Sequence, residues 1–315
     1  MNVRKKTIGR LITIILIVVA GYYCLHEVAA QWASVAAILS EVSWSYFVVA
    51  TVTATVGFSL SGVGLTFFYE GYSGDKTFSR TQLIGTYLVA NIFRYVPGKI
   101  MAPVYMVQVS GLRKVELTQA VFTMVASSLA AGTLCSVILT FFVVGSDATK
   151  AVLLTCLIAS FVFLVPAVNK RVFALFSKTL NKFIKGNIGQ IPIGCMVRGV
   201  IVIFAGWFLA GVSLVVVVAA FAPISNSQAA LCSLVYPASF CAGFLVLTAP
   251  AGLGVREAVI IPLLSMIFAF AENAESHFAI AISITILHRF IVTISDILLC
   301  GMGAYLQPGK PKAVT

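Results

Sequence analysis

Long apolar runs alternate with short polar segments along this chain. Runs over about 8–25, 43–68, 117–144, 150–168, 191–221 and 278–304 reach or approach the roughly 20 residues that a helix needs to cross a bilayer. They predict six spanning helices. Two further apolar stretches are interrupted. After Arg80 only about 13 apolar residues precede Arg94, and about 11 separate Lys99 from "GLRKVE", so neither piece can span alone. The stretch 228–249 breaks at "APAGLGVRE" and resumes for about 13 residues before "ENAESH". Proline and glycine do not continue a regular helix comfortably. Pro97 and Gly98 in the first break, and Pro250, Gly252 and Gly254 in the second, therefore predict ends of half-helices inside the membrane. The period-2 alternation of an outer-membrane barrel is absent from the sequence.

Charge orients these elements. Basic residues favour the cytoplasmic side. Arg4, Lys5, Lys6 and Arg10 place the N-terminus there, and Lys310 and Lys312 place the C-terminus there. The first interrupted stretch has basic flanks on both sides (Lys76 and Arg80, then Arg113 and Lys114), which predicts a re-entrant hairpin from the cytoplasm. The second opens toward the acidic "ENAESH" segment, as a hairpin entering from outside or as two short spans. Each half, about 8–145 and about 150–304, then holds three spans and one hairpin in opposite orientations. Inverted repeats whose broken helices meet near the midplane are the architecture of secondary transporters. The expected fold is an all-α polytopic membrane protein with six spans and two hairpins, or about eight membrane segments.

Composition agrees. Of 315 residues, 60% are hydrophobic and 10% charged, against about 25% charged in soluble domains. The longest polar stretch, 169–190, is too short for an independent core and reads as a cytoplasmic basic loop, so residues 1–315 form a single transmembrane domain. The N-terminal run resembles a signal peptide in charge but lacks a convincing cleavage site, and reads as a retained helix. The net charge of +11 fits loops facing anionic inner-membrane lipid and offers no basic soluble module for nucleic acid. The seven cysteines are scattered singly, without metal spacing. "VPGK" lacks the remaining residues of a phosphate-binding loop, and the G-x-G of "PAGLGVRE" follows no strand. No metal or cofactor is expected.

Few ionisable residues remain within the apolar runs: Arg94, Lys99, Arg198, Arg256, Glu257, Arg289 and Asp296. Arg198 lies near a helix end and can snorkel. Thr285, Arg289, Thr293 and Asp296 form one polar stripe on the last helix, while His288 falls on another face and reads as a packing or interfacial residue. Two readings stay open for the stripe. One is an Arg289–Asp296 or Arg256–Asp296 ion pair that pins helices together. The other is a cationic site for an anionic group, since unpaired charge in hydrocarbon is costly and marks function. The small residues of "TATVGFSLSGVG" (53–64) suit close helix packing.

"NIFRYVPGKI" (91–100) and "PAGLGVREA" (250–258) resemble the signature segments of the lysylphosphatidylglycerol synthetase transmembrane-region family, also described as flippase-like. "LHRFIVTISDIL" (287–298) resembles its last-helix pattern, an Arg followed by an Asp seven residues later. The resemblance implies a membrane domain that handles anionic lipids. It implies functional roles for Arg94, Pro97, Gly98, Lys99, Gly252, Gly254, Arg256, Glu257, Arg289 and Asp296. The chain departs from that family in two ways: it has no match to a soluble aminoacyl-transferase domain, and "VFTMVASSLAAGT" (121–133) lacks the acidic feature of many relatives.

The expected function is translocation of a lipid with an anionic headgroup, phospholipid or polyprenyl-phosphate-linked, by alternating access. Arg94, Lys99, Arg256 and Arg289 would hold the phosphate; Glu257 and Asp296 would orient the arginines; the hydrocarbon chains would stay in the bilayer. The rivals are a membrane-embedded transferase using a polyprenyl-phosphate donor, with only Glu257 and Asp296 available as acid or base, and a non-transporting partner of enzymes for envelope lipid or glycan synthesis.

Overall fold

A computed structural model describes residues 42–96, 101–143, 147–179, 188–246, 250–268 and 274–307. The helix expected over 8–25, Pro97, Gly98, Lys99 and the basic tail lie outside the described residues.

The described residues are all-helical. Helix α1 (Trp44–Ser73) stops at Gly74, whose positive φ lets its N–H return to the Glu70 carbonyl. Helix α2 (Arg80–Ala90) starts at Ser79, whose side chain accepts from the Gln82 N–H, and tightens into a 3-10 turn over Asn91–Tyr95. There follow α3 (Met101–Val109), α4 (Lys114–Phe142), α5 (Asp147–Phe163), α6 (Pro166–Thr179) and α7 (Ile193–Phe221). Helix α8 (Asn226–Leu245) opens with a reciprocal Ser225–Gln228 capping box. A short 3-10 turn (Pro250–Gly252) leads to α9 (Val255–Phe268), and α10 (Ala274–Leu306) ends the described chain.

Helices α1, α4, α7, α8 and α10 are long and apolar enough to cross a membrane, and the bent pair α5–α6 brings the number of candidate spans to six. The protein is multi-pass. Outward-facing Val48, Val52, Val56, Ile201 and Phe208 are exposed, an apolar surface of the kind that lipid covers.

Most of the expected helices lie within a few residues of their predicted bounds. One does not. The helix expected over 150–168 stops at Phe163, and α6 leaves at a bend of 92°. Pro166 has no N–H to donate, and the preceding Leu164 and Val165 N–H groups make tighter bonds, to the Phe161 and Val162 carbonyls. The segment expected as a basic loop over 169–190 therefore begins as helix. Lys170 and Arg171 are exposed on it, while Phe173 and Asn169 are buried, and Asn169 Oδ1 accepts from Tyr72 Oη at 2.8 Å. Both arms of the first interrupted stretch, α2 and α3, are short. In the second only α9 is short, because α8 is by itself long and apolar enough to span.

Helices pack through glycine contacts. A β-carbon at Gly57 of α1 would lie 2.8 Å from the Gly206 carbonyl oxygen of α7, and one at Gly206 would lie 2.6 Å from that of Gly57. Removing the side chain lets the two backbones touch, which realises the packing role expected of 53–64. Helix α2 meets α10 in the same way at Gly85 and Gly303, and α4 meets α8 at Gly132, against the Pro237 carbonyl. The first arm of each interrupted stretch thus packs on the last helix of the opposite half.

Candidate functional site

Two backbone breaks and one straight helix build the site. After α2 the backbone winds through the 3-10 turn and leaves it extended at Val96, so Arg94 projects from the end of a broken helix. Its guanidinium donates to the Asn91 carbonyl at 3.3 Å and to Asn91 Oδ1 at 3.1 Å, and lies 5.2 Å from the centre of the Phe58 ring. It sits 3.3 Å from the carboxylate of Asp296, which is fully buried on α10. Tyr95 Oη donates to the same carboxylate at 3.1 Å.

The expected polar stripe faces inward along α10. Thr285 and Thr293 are buried, and their hydroxyls bond the carbonyls of Ala281 and Arg289 one turn back. Arg289 reaches Glu257, in the first turn of α9, as an ion pair. A carboxylate there also faces the positive end of the helix dipole.

The second break creates the third cation. Ala251, Gly252 and Gly254 all take positive φ, at 48°, 75° and 77°, which glycine does freely and alanine only with strain. The turn brings Arg256 into the start of α9. A β-carbon at Gly252 would lie 2.9 Å from Arg256 Nε, and one at Gly243 of α8 would lie 2.8 Å from its Cγ. The two glycines are thus the walls of a slot for the arginine stem. The guanidinium donates to Tyr236 Oη at 3.2 Å and lies 5.8 Å and 5.3 Å from the ring centres of Tyr236 and Phe240. Arg256 is 9% exposed, its Nε has no hydrogen-bond partner, and no carboxylate among the described residues pairs with it.

Two cavities meet here. The smaller, about 30 Å³, is bounded by Arg94, Tyr95, Tyr236, Arg256, His288 and Arg289 among others. The larger, about 270 Å³, is mostly apolar, with Phe58, Met106, Met124, Trp207 and Phe240 in its wall. Arg94, Ala251 and Arg256 line both. Three guanidiniums (Arg94, Arg256, Arg289) against two carboxylates (Glu257, Asp296) leave a net charge of +1 on these five groups, and Arg256 carries it.

The structure thus brings Arg94, Arg256, Arg289, Glu257 and Asp296 together around one place. It corrects the expected pairings. Asp296 pairs with Arg94, and Arg289 pairs with Glu257; neither Arg289–Asp296 nor Arg256–Asp296 forms among the described residues. Seven residues along a helix separate side chains by about 10 Å, so partners from other elements reach these groups first. His288 is not interfacial: it is buried, 2.9 Å from Ser213 Oγ, edge-on to Tyr236, and lines the smaller cavity. Arg198 is exposed on α7, away from both cavities. Asn91, Tyr95 and Tyr236 were not expected at the site. Asn91 and Tyr95 flank Arg94 within "NIFRYVPGKI", which was a readable signal; nothing in "VYPASF" marks Tyr236.

No group of residues able to hold a metal ion occurs among the described residues. Comparison with protein-family models and with curated proteins finds no match to this chain.

Proposed function

We propose that the protein binds an amphiphile with an anionic headgroup and moves it across the inner membrane, with Arg256 as the primary ligand for the anion. The observation that carries this reading is a guanidinium nine-tenths buried, with no carboxylate partner, at the junction of a polar and an apolar cavity in a multi-pass membrane protein. An uncompensated cation in that setting is costly, and a phosphate matches its planar donors. Arg94 and Arg289 flank it, each held by a carboxylate that keeps its position and returns as partner when the anion leaves. Lys99 belongs to the same proposal through its place in the first break.

What supports alternating access is the reciprocal packing of the interrupted stretches, α2 on α10 and α8 on α4, around the α1–α7 crossing. This packing fits the inverted repeat, and the loop charges support both termini cytoplasmic and the two hairpin mouths on opposite sides. Kinship with the lysylphosphatidylglycerol synthetase transmembrane-region family rests on the motif residues and is part of this reading.

The test is binding and flipping of fluorescent phosphatidylglycerol in proteoliposomes. Arg256→Gln strands no carboxylate, so it folds and inserts, and it loses at least tenfold in affinity. Unchanged binding and flipping by a folded Arg256→Gln protein would falsify the proposal.

A further inference from the structure

The larger cavity does not end at the arginines. It runs between α1, the two broken segments, α4, α7 and α8, and its far wall includes Val121, Met124 and Val125 of α4. Val125 also lines a third cavity, about 320 Å³, formed by Phe122, Ala126 and Leu129 of α4 with Ala159, Ser160 and Phe163 of α5. Ala159 lies on a helix that exposes Val152, Leu154, Ile158 and Phe161, an apolar surface turned toward lipid. The three cavities are therefore linked by shared residues: Arg94 and Arg256 between the first two, Val125 between the last two. Polarity falls along the series, from three guanidiniums, through an aromatic and methionine chamber, to a wall that is apolar except for Ser160.

From this series we infer that one hydrocarbon chain of the bound amphiphile runs inside the protein, from Arg256 through the chamber, past Val125, and out to the bilayer between α4 and α5. The inference rests on the proposed anionic-headgroup site and extends it; it replaces the expectation that the chains remain in the bilayer. Size supports it. A volume of 270 Å³ is about nine times the ~30 Å³ share of one liquid water, and a methylene is of similar size, so the chamber takes on the order of ten chain carbons. A longer chain must continue into the α4–α5 cavity. A volume that holds on the order of ten carbons cannot take two full-length chains, so the second chain of a diacyl lipid stays outside. The same route serves a prenyl chain, which also carries one hydrocarbon tail per anion.

The experiment is photocrosslinking in nanodiscs with dioleoyl-type phosphatidylglycerol carrying a diazirine at the end of one acyl chain, followed by peptide mapping. A polyprenyl phosphate with a terminal diazirine and a phosphatidylcholine with the same labelled chain are run alongside. Adducts on Phe122, Ala126, Leu129 or Phe163 support the route, and the probe that labels them competitively identifies acyl or prenyl as the source. Adducts confined to outward positions such as Val48 and Ile201 for both anionic probes overturn it. Equal interior labelling by phosphatidylcholine upholds the route while removing the anionic-headgroup reading, so the two fail separately. Val125→Phe narrows the link: labelling of Phe163 falls at least fivefold, while binding of dihexanoyl phosphatidylglycerol, whose one interior chain is short enough to end inside the chamber, is retained. Should that variant fail to fold, the labelling pattern of the unmutated protein still decides.

Discussion

Arg94 Nη2 lies 3.3 Å from Asp296 Oδ1, so a cation at the end of a broken helix is neutralised by an acid two hundred residues later on α10. Asp296 is fully buried, and Tyr95 is its other described polar partner at the carboxylate. Removing Arg94 alone leaves that charge in the interior. Arg94→Gln is expected to destabilise the protein by about 3–5 kcal/mol, while Arg94→Gln with Asp296→Asn together is close to neutral. Thermal unfolding of detergent-solubilised protein measures both. The double variant remains impaired in phosphatidylglycerol binding, because the headgroup contact is lost with the arginine. Restored stability together with restored binding would reduce Arg94 to a structural partner of Asp296.

The slot around Arg256 separates two kinds of glycine. Gly252→Ala drives a methyl group to 2.9 Å from Arg256 Nε and also strains a backbone at φ 75°. Gly254→Ala meets open space and carries only the strain of φ 77°. Both should lose about 1 kcal/mol or more of stability, but Gly252→Ala alone displaces the guanidinium. Anionic-lipid binding should therefore fall several-fold more in Gly252→Ala than in Gly254→Ala. Equal binding losses would mean that the glycines serve the turn and nothing else.

The crossing of α1 and α7 can be loosened from either side. Gly206→Val places its side chain against the Gly57 carbonyl, where even a β-carbon would lie at 2.6 Å. The helices must part, at a cost of about 1–3 kcal/mol. Gly194→Ala and Gly301→Ala, with nothing within 4 Å, are the controls and should leave the unfolding temperature unchanged or slightly raised. A Gly206→Val protein as stable as these controls would contradict the close contact.

Topology is tested by cysteine accessibility in a cysteine-free background. Lys76→Cys and Lys114→Cys flank the first interrupted stretch at exposed positions, and Ser227→Cys is exposed at the start of α8. Membrane-impermeant maleimide added from the periplasmic side is expected to label Ser227→Cys only. Labelling of Lys114→Cys from that side would mean that α2 and α3 together cross the membrane, and would end the inverted-repeat reading.

How much of this was legible beforehand follows from the range of the forces involved. Local apolar content determined the spans, because a helix in lipid must satisfy its own backbone: 43–68, 117–144, 191–221 and 278–304 correspond to α1, α4, α7 and α10. Rare charges in apolar runs were visible for the same reason, and Arg94, Arg256, Glu257, Arg289 and Asp296 do converge. The bend at Pro166 was hidden because the apolar run continues straight through it; the proline's missing N–H and its ring stop the helix. Which acid neutralises which arginine depended on packing between distant segments, so spacing along α10 suggested Arg289 with Asp296 while the folded chain pairs Asp296 with Arg94 and Arg289 with Glu257. The isolation of Arg256 is likewise a tertiary fact. Gly243 and Gly252 admit its stem from two separate elements, and Tyr236 and Phe240 rather than a carboxylate meet its head among the described residues, an arrangement that exists only once α8 and α9 lie side by side.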